Sequence, residues 1–242
     1  MKCIVLAAGY ATRLYPLTKN FPKPLLKVAN KTILDHLLDD IHNSGEVDEF
    51  IVVSNHAFYE HFLSWAKEKP YKITLLDDGT TTNENRLGAV KDIAFAIDEL
   101  NLTDDLLIIA GDNLLSFPLG EFIGYFKKCN TTVIMRYFEA DYESLKKRGV
   151  IEALEGDRVL GMVEKSPNPP TNWCVPPFYV YKKEDIHLIN EAIESGVSTD
   201  APGSFTAWLT KKTVVNSWEM TGERYDIGDI NSYEKVKEIF SK

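Results

Sequence analysis

Basic residues are concentrated at the beginning of the sequence. The first 34 residues contain six of them and no aspartate or glutamate: Lys2, Arg13, Lys19, Lys23, Lys27 and Lys31. This segment has a formal charge of +6, whereas the remaining residues sum to −15 in a chain of net charge −9. A cationic segment in an acidic chain is typical of a site for a small anionic ligand. The overall acidity argues against general binding to nucleic acid or membrane surfaces.

The same segment contains about twenty residues that follow neither a helical nor a strand periodicity, and such stretches are usually functional. Gly9 would let backbone N–H groups approach an anion, and Thr12 would add a hydroxyl donor. Arg13 supplies a planar guanidinium matched to phosphate, and Lys23, flanked by prolines, supplies a second charge. A solvated basic loop with turn-forming prolines explains the composition equally well.

Two common phosphate-binding motifs are absent from this segment. The sequence lacks GxxxxGK[ST], and AAGYATRL does not contain G-x-G-x-x-G. The loop is therefore neither a P-loop nor the turn of a dinucleotide-binding fold.

Two aspartates later in the chain are candidate ligands for a divalent cation. Asp112 ends the apolar run LLIIAGD, where a carboxylate without a partner would be costly. Mg²⁺ favours a few carboxylates together with phosphate oxygens and water, so Asp112 and Asp226 are suitable ligands. An Asx turn or a helix cap would also account for either residue, although Asp229 is better placed than Asp226 to cap the last helix.

Hydrophobic periodicity predicts an α/β fold. Short apolar strands alternate with helical patterns up to about residue 130, and strands follow one another more closely after it. This alternation predicts three α/β/α layers around a mostly parallel, mixed sheet. We expect a single domain over residues 1–242, with halves at 1–130 and 131–242 and a closing helix. The helix ILDHLLDDIHNSG has one apolar face and Gly45 as its stop; that face comprises Ile33, Leu34, Leu37, Leu38 and Ile41.

Composition and the N-terminal residues indicate a cytoplasmic protein. The three cysteines, Cys3, Cys129 and Cys174, lack metal-ligand spacing and are best interpreted as reduced thiols. The apolar run before Gly9 is too short for a signal peptide. No segment reaches the roughly 18 apolar residues that a membrane span needs.

Five segments, in order along the chain, resemble the signature of the sugar-phosphate nucleotidyltransferases. They are LAAGYATRL with the following FPKPLL, LGAVKDI, IIAGDNLL, GMVEKSPNPP and RYDIGDINSYEKV. The resemblance implies the nucleotide-diphospho-sugar transferase fold and the reaction of a nucleoside triphosphate with a sugar 1-phosphate, which gives a nucleoside diphosphate sugar and pyrophosphate. Likeness to the short thymidylyl- and uridylyltransferases favours dTTP or UTP.

The resemblance also implies roles for particular residues. Arg13 and Lys23 would bind and polarise the triphosphate, Lys165 would neutralise the acceptor phosphate, and Asp112 and Asp226 would bind Mg²⁺, the expected cofactor. The expected nucleoside contacts, in the half at 1–130, are Ala8, Gly9, Thr12, Asn85, Leu87 and Gly88. The expected acceptor contacts, in the half at 131–242, are Glu164, Lys165 and Trp173. Without the resemblance, Asn85 would be interpreted as a helix cap, and Glu164 and Lys165 as solvated residues at a strand end.

The chain departs from the family pattern at two places. Ala8 and Ala11 stand where glycines are usual, and alanine permits a close approach only where the backbone φ is negative. Pro176 and Pro177 remove two backbone donors from the wall that is expected to line the sugar. These prolines leave open, beside an ordinary sugar 1-phosphate, an unusual sugar or a phosphorylated small molecule that is not a sugar.

Two alternative functions accompany this hypothesis. A CTP-dependent cytidylyltransferase acting on phosphocholine or another non-sugar phosphate would share the architecture. A non-catalytic regulator that binds nucleotide sugars is the second alternative, and the joint presence of Arg13, Lys23, Asp112 and Asp226 argues against it. We expect no nucleic-acid or membrane partner, and a homodimer is suggested by the family alone.

Overall fold

The computed structural model describes residues 1–240. Within these residues, fourteen β-strands and eight α-helices are present. The strands are β1 (Lys2–Leu6), β2 (Lys27–Val28), β3 (Lys31–Thr32), β4 (Glu49–Ser54), β5 (Ile73–Asp77), β6 (Leu106–Ala110), β7 (Asn113–Leu115), β8 (Thr132–Phe138), β9 (Gly149–Glu155), β10 (Arg158–Glu164), β11 (Trp173–Val175), β12 (Phe178–Tyr181), β13 (Val215–Glu219) and β14 (Arg224–Asp226). The helices are α1 (Ile33–Asn43), α2 (Tyr59–Ala66), α3 (Ala89–Leu100), α4 (Gly120–Cys129), α5 (Tyr142–Leu145), α6 (Leu188–Glu194), α7 (Gly203–Leu209) and α8 (Ile230–Phe240). Short 3-10 helices cover Thr12–Leu14, Lys23–Leu25, His56–Phe58 and Asn83–Asn85.

The backbone divides into two compact units. The first unit comprises Lys2–Arg86, Ala110–Gly120 and the described chain from Thr221 onward. The second unit comprises Leu87–Ile109 and Glu121–Met220. This division differs from the predicted halves, because α3 belongs to the second unit and α8 to the first. That the whole chain is a single domain stays a prediction.

The first unit contains a parallel sheet in which β4 lies between β1 and β5. Parallel neighbours need a long crossover, and helices α1 and α2 lie in the segments that connect these strands. All six residues of β4 are buried, as expected for a parallel strand that is covered on both faces. The antiparallel pairs β2–β3 and β7–β14 belong to the same unit.

Helix α1 forms as the sequence predicts. The five apolar residues of its predicted face are all buried, and Gly45 follows the helix with a φ of 72°. Its N-terminus has a capping box, in which Thr32 Oγ1 accepts from the Asp35 N–H and the Asp35 carboxylate accepts from the Thr32 N–H. The same carboxylate accepts a hydrogen bond from the indole N–H of Trp65 (2.9 Å). These contacts anchor α1 and α2 together.

The sheet of the second unit is largely antiparallel. Its strand order is β11-β9-β10-β13-β8-β12-β6, and within this order only β8 and β13 are parallel neighbours. The predicted α/β fold with a mixed sheet is confirmed, but the parallel share is smaller than predicted. One reason is the tight turn between β9 and β10, since such short connections join antiparallel strands. The apolar run over 173–181 is interrupted at Pro176–Pro177, which separate β11 from β12.

Aromatic side chains fill the centre of the second unit. Tyr179, Tyr181 and Phe205 are almost fully buried, and the Tyr181 hydroxyl lies 2.7 Å from Thr206 Oγ1. This packing holds α7 against the sheet, next to the end of β10. Within residues 1–240, no helix combines the length and the apolarity that a membrane crossing requires.

Candidate functional site

The chain leaves the first unit's sheet at the end of β1. The Ala7 N–H donates to the Val53 carbonyl (3.0 Å), and the buried Asn55 donates from Nδ2 to the Ala8 carbonyl (2.9 Å). Ala8 is buried, whereas Gly9 is exposed, and a Cβ placed on Gly9 would meet no atom within 4 Å. The space beside Gly9 is therefore open, as its predicted contact with a nucleotide requires.

Ala11 has a left-handed backbone, with φ 47° and ψ 43°. Its carbonyl accepts hydrogen bonds from the Thr18 hydroxyl (2.8 Å) and from the Leu14 N–H (3.0 Å), and Thr18 is fully buried. Negative φ, the condition for alanine in place of glycine, is met at Ala8 but not at Ala11. The loop thus holds an alanine in a conformation that glycine adopts at lower cost.

A cleft of about 240 Å³ brings the predicted triphosphate residues together. The residues that line it include Gly9, Ala11, Arg13, Lys23, Asp112 and Gly228. Arg13 is exposed, as is the neighbouring Thr12. Lys23 is only 7% exposed and stands between the buried Pro22 and Pro24, so its ammonium group has little freedom. The cleft therefore combines one exposed and one buried cation.

A chain of polar contacts connects Lys23 with Asp226. Lys23 Nζ lies 2.8 Å from Asp112 Oδ2, and Asn113 Nδ2 donates to Asp112 Oδ1 (2.7 Å). Arg224 Nη1 donates to Asn113 Oδ1 (2.5 Å) and lies 3.8 Å from Asp226 Oδ2. The β7–β14 ladder makes this possible, because it places Asp226 directly opposite Asn113. The two predicted metal ligands are thus brought together by strands that the sequence analysis did not predict.

Neighbouring cations keep Asp112 ionised. Partial burial would raise the pKa of its carboxyl group, but the ammonium of Lys23 and the guanidinium of Arg224 hold that pKa below its usual value. An ionised carboxylate is the form that binds a divalent cation.

The donor set at Asp112 and Asp226 fits Mg²⁺. Both carboxylates retain access to solvent, with side-chain exposures of 36% and 44%. Within the described chain, no group of three or more His, Cys, Asp or Glu side chains is arranged to hold a metal ion. A cation at this pair would therefore complete its shell with water or phosphate oxygens, which is the ligand set that Mg²⁺ prefers.

Glu164 lies in the second unit, at the end of β10. Its Oε1 atom packs against the backbone of Gly149 and Gly203, where a Cβ on Gly149 would come within 2.7 Å of it and a Cβ on Gly203 closer still. Burial raises the pKa of Glu164 to about 7; the charge of Lys165 acts against this shift and that of Asp200 adds to it. A carboxyl group in this state is suited to hydrogen bonding with a polar ligand.

Lys165 follows Glu164 with a left-handed backbone, at φ 49°. Its N–H donates to the Arg148 carbonyl (2.9 Å), and its Nζ lies 2.9 Å from Asp200 Oδ2. Non-glycine residues with positive φ often mark functional sites. That Glu164 and Lys165 contact the acceptor stays a prediction.

The residues that precede α3 are engaged in local contacts. Asn85 Oδ1 accepts hydrogen bonds from the N–H groups of Thr81 (3.2 Å) and Thr82 (3.0 Å), so Asn85 caps the 3-10 helix that it ends and not α3. Gly88 has a φ of 92°, and a Cβ on it would lie 2.5 Å from the Thr199 carbonyl oxygen. Tight packing inside the second unit accounts for this glycine, and its predicted contact with the nucleoside stays a prediction.

Trp173 is not aligned with Glu164 in the sheet. Val175, and not Trp173, is paired with Gly149, which in turn is paired with Glu164. The indole of Trp173 instead lies under the Arg136 guanidinium (5.0 Å) and edge-on to Phe138. The register therefore gives no support to an acceptor contact at Trp173.

Sequence reasoning missed Asn113, Arg224 and Asp200. Asn113 directly follows Asp112 and Arg224 lies two residues before Asp226, so proximity to a candidate ligand was an available signal for both. Asp200 lies 35 residues from Lys165 and no spacing rule connects them.

Comparison with known proteins identifies the family of this chain. Residues 2–242 match the family described as nucleotidyl transferase. The chain belongs to this family. A protein of Sulfolobus acidocaldarius, named provisionally as a mannose-1-phosphate guanyltransferase, is 29% identical over 98% of this chain and 62% of its own length. The glucose-1-phosphate thymidylyltransferase of Mycobacterium tuberculosis is 26% identical over 92% of this chain and 74% of its own length.

The nucleotidyl transferase fold is also found in solved structures. A UDP-glucose pyrophosphorylase complexed with UDP-glucose superposes with a TM-score of 0.83, covering 99% of this chain and 97% of that chain at 19% identity. At this identity the likeness concerns the fold. The chain spans only 62% of the length of the archaeal relative, so the activity of the whole protein is a matter for proposal.

Proposed function

We propose that this chain transfers a nucleoside monophosphate from a nucleoside triphosphate to a sugar 1-phosphate and releases pyrophosphate. The observation that carries the proposal is the cleft in which Arg13, Lys23 and Asp112 meet beside the open backbone at Gly9. Membership of the nucleotidyl transferase family supports the same reaction class.

In the proposed reaction, an oxygen of the acceptor phosphate attacks the α-phosphorus, and the bond to the pyrophosphate leaving group breaks. No covalent bond to the protein forms, so the protein acts by positioning the reactants and neutralising charge. Arg13 and Lys23 bind the triphosphate, and the fixed ammonium of Lys23 stabilises negative charge that builds up on the phosphates. Lys165 binds the acceptor phosphate, and Glu164 accepts hydrogen bonds from acceptor hydroxyls.

Asp112 and Asp226 would hold Mg²⁺, the proposed cofactor, which supplies positive charge to the phosphate oxygens when it is bound. The preferred nucleotides are dTTP and UTP. Relatives named for thymidylyl, uridylyl and guanylyl transfer support a sugar 1-phosphate acceptor.

The proposal includes a cytoplasmic location, where nucleoside triphosphates are made and free thiols such as Cys3 and Cys174 stay reduced. It also includes a homodimer, which sedimentation would test.

The alternative acceptor is phosphocholine or another non-sugar phosphate, used with CTP. The observation that favours it is the Pro176–Pro177 turn, which lacks two backbone donors near the position expected to face a sugar. The non-catalytic regulator would bind nucleotides without turnover.

The test is pyrophosphate release with Mg²⁺ across dTTP, UTP, CTP, GTP and ATP, each combined with several sugar 1-phosphates and with phosphocholine. Release with dTTP or UTP and a sugar 1-phosphate supports the proposal, and release with phosphocholine and CTP supports the alternative. Triphosphate binding without release in any combination points to the regulator. Neither binding nor release would contradict all three.

The Asp112→Asn variant tests the proposed metal ligand. We expect turnover to fall by about 100-fold or more, because a charge-stabilising group at the phosphates is lost, while the fold remains intact by circular dichroism. Asp39→Asn is the matched control, since Asp39 forms a lysine–aspartate pair with Lys31 (2.6 Å) outside the cleft. Unchanged turnover in Asp112→Asn would remove the assignment.

A further inference from the structure

The position of the Lys165 ammonium is set from two sides. The hydrogen bond from its backbone N–H to the Arg148 carbonyl (2.9 Å) fixes the start of the side chain, and Asp200 fixes its end at 2.9 Å from Nζ. Both partners of the pair are about half exposed, at 54% for Lys165 and 47% for Asp200. An exposed ion pair of this kind is individually weak and can be exchanged for a better partner.

Asp200 belongs to a short loop that is held on α3 by backbone contacts. The Val90 N–H donates to the Thr199 carbonyl (3.0 Å), and the Ala89 N–H donates to the Asp200 carbonyl (3.5 Å). These bonds satisfy N–H groups in the first turn of α3 that have no partner within the helix. Gly88 allows the loop to approach, because any larger residue would collide with the Thr199 carbonyl. Backbone hydrogen bonds thus hold the loop on α3.

Two acidic groups, Glu164 and Asp200, lie near Lys165. Glu164 lies beside Lys165, and the Asp200 carboxylate acts on the Glu164 carboxyl group as a like charge. A phosphate bound at Lys165 would carry up to two negative charges, so it and the Asp200 carboxylate compete for the same ammonium group. Because the loop backbone is fixed, only the Asp200 side chain needs to move.

We propose that Asp200 is a positioning residue whose carboxylate occupies the phosphate subsite at Lys165 and is displaced when the acceptor phosphate binds. The inference rests on the proposed role of Lys165 in binding the acceptor. In the free protein, Asp200 keeps the lysine extended towards the subsite and makes occupation by weakly bound anions less favourable. The acceptor phosphate, with more charge and more oxygen atoms than a carboxylate, replaces it.

Calorimetric titration with inorganic phosphate tests the competition directly. We expect Asp200→Asn to bind phosphate about three- to fivefold more tightly than the wild type, the range that corresponds to an exposed ion pair. The double variant Asp200→Asn/Lys165→Met should lose this gain, which separates the Lys165 subsite from phosphate binding at Arg13 and Lys23. Glu191→Gln is the matched control, because Glu191 pairs with Lys212 at 2.8 Å with similar exposures of 53% and 43%.

Steady-state kinetics provide the second measurement. In Asp200→Asn the KM for the acceptor should fall by a similar factor, while the KM for the triphosphate should not change. Phosphate affinity in Asp200→Asn that equals or is below that of the wild type would overturn the proposal, as would the absence of Lys165-dependent phosphate binding in every variant. The phosphate titration does not depend on turnover. A failure of the proposed function is therefore distinguished from a failure of this inference.

Discussion

Each of the two lysines proposed to bind phosphates is paired with an aspartate. Lys23 is almost buried and lies 2.8 Å from Asp112, whereas the exposed Lys165 lies 2.9 Å from Asp200. The difference in burial has a consequence for mutation. Removing Asp112 leaves a poorly solvated ammonium group without its partner, and removing Asp200 leaves a solvated one.

Glu164 gives a prediction for the pH dependence of stability. Burial raises its pKa from the ordinary 4.5 to about 7, so the folded protein keeps the proton to about pH 7 while the unfolded chain loses it near pH 4.5. Ionised Glu164 therefore destabilises the fold above pH 7, and the penalty fades as the pH falls from 7 towards 4.5. We expect Glu164→Gln to increase the free energy of unfolding by about 1–3 kcal/mol at pH 8 and by much less at pH 5.

Urea denaturation of wild type and Glu164→Gln at the two pH values measures this difference. The same variant should lose activity with the acceptor, since the amide nitrogen of glutamine cannot accept a hydrogen bond as a carboxylate oxygen does. An equal stability difference at pH 5 and pH 8 would contradict the assigned pKa. Glu155→Gln is a suitable control, because Glu155 is exposed at the other end of the hairpin.

The individual residues of the site were predictable to different degrees. Arg13 and Lys23 lie in a long loop with three prolines that follows a buried strand, Asp112 follows another buried strand, and both patterns are visible in the sequence. The contacts made by Asn113 and Arg224 depend on a two-stranded pairing between distant segments. Three-residue strands have no periodicity that a sequence can reveal, so this part of the site could not be derived.

At the scale of elements, the loop after β1 contains a strained residue. Ala11 has a φ of 47°, a conformation that costs an L-residue with a Cβ about 1–2 kcal/mol. We expect Ala11→Gly to stabilise the protein by about 0.5–1 kcal/mol, since part of the relief is offset by the greater freedom of glycine in the unfolded chain. Chemical denaturation measures the change.

Ala8→Gly is the matched control for this prediction. Ala8 occupies the other position where the family has glycine, but its φ is not positive. Glycine there should destabilise the protein by about 0.5–1 kcal/mol. If Ala11→Gly and Ala8→Gly changed the free energy of unfolding in the same direction, the strain at Ala11 would be contradicted.

The start of α3 gives a second prediction at this scale. An alanine at position 88 would have to adopt an unfavourable φ of 92°, and its methyl group would collide with the Thr199 carbonyl. We expect Gly88→Ala to lower the free energy of unfolding by about 2–4 kcal/mol. At Gly196 the φ is similarly positive, at 85°, but the surrounding space is open. Gly196→Ala should therefore cost only about 1 kcal/mol, and equal losses in thermal unfolding would show that the contact with Thr199 is unimportant.

The elements themselves were predictable where hydrophobic periodicity is strong. The five buried apolar residues of α1 agree with the pattern in the sequence. The break between β11 and β12 was present in the sequence as Pro176–Pro177, but the apolar residues on both sides dominate the periodicity. The antiparallel share of the second unit depends on which strands become neighbours, and local sequence does not encode that.

At the scale of the whole molecule, the two units should respond to different ligands. The proposed triphosphate residues lie in the first unit and the proposed acceptor residues in the second. We expect a triphosphate with Mg²⁺ to slow amide hydrogen exchange in residues 9–26 and 111–115. A sugar 1-phosphate should slow exchange in residues 148–150, 163–166 and 199–204.

Hydrogen exchange followed by mass spectrometry measures both patterns. Helix α2 serves as an internal reference, since none of its residues has been assigned to either ligand. Protection of residues 163–166 by the triphosphate alone would contradict the assignment of Glu164 and Lys165 to the acceptor.

The hydrogen bond between Trp65 and Asp35 has an optical consequence. Trp65 is the single tryptophan among the first unit's described residues, and it is 8% exposed; Trp173, Trp208 and Trp218 belong to the second. A shielded indole fluoresces at shorter wavelength than a solvated one, so its red shift records the loss of the α1–α2 contact. A variant with phenylalanine at positions 173, 208 and 218 would report on the first unit alone. The Trp65→Phe variant would retain only the tryptophan emission of the second unit. Comparing the two emission curves during denaturation would therefore follow the melting of each unit separately, without an attached dye.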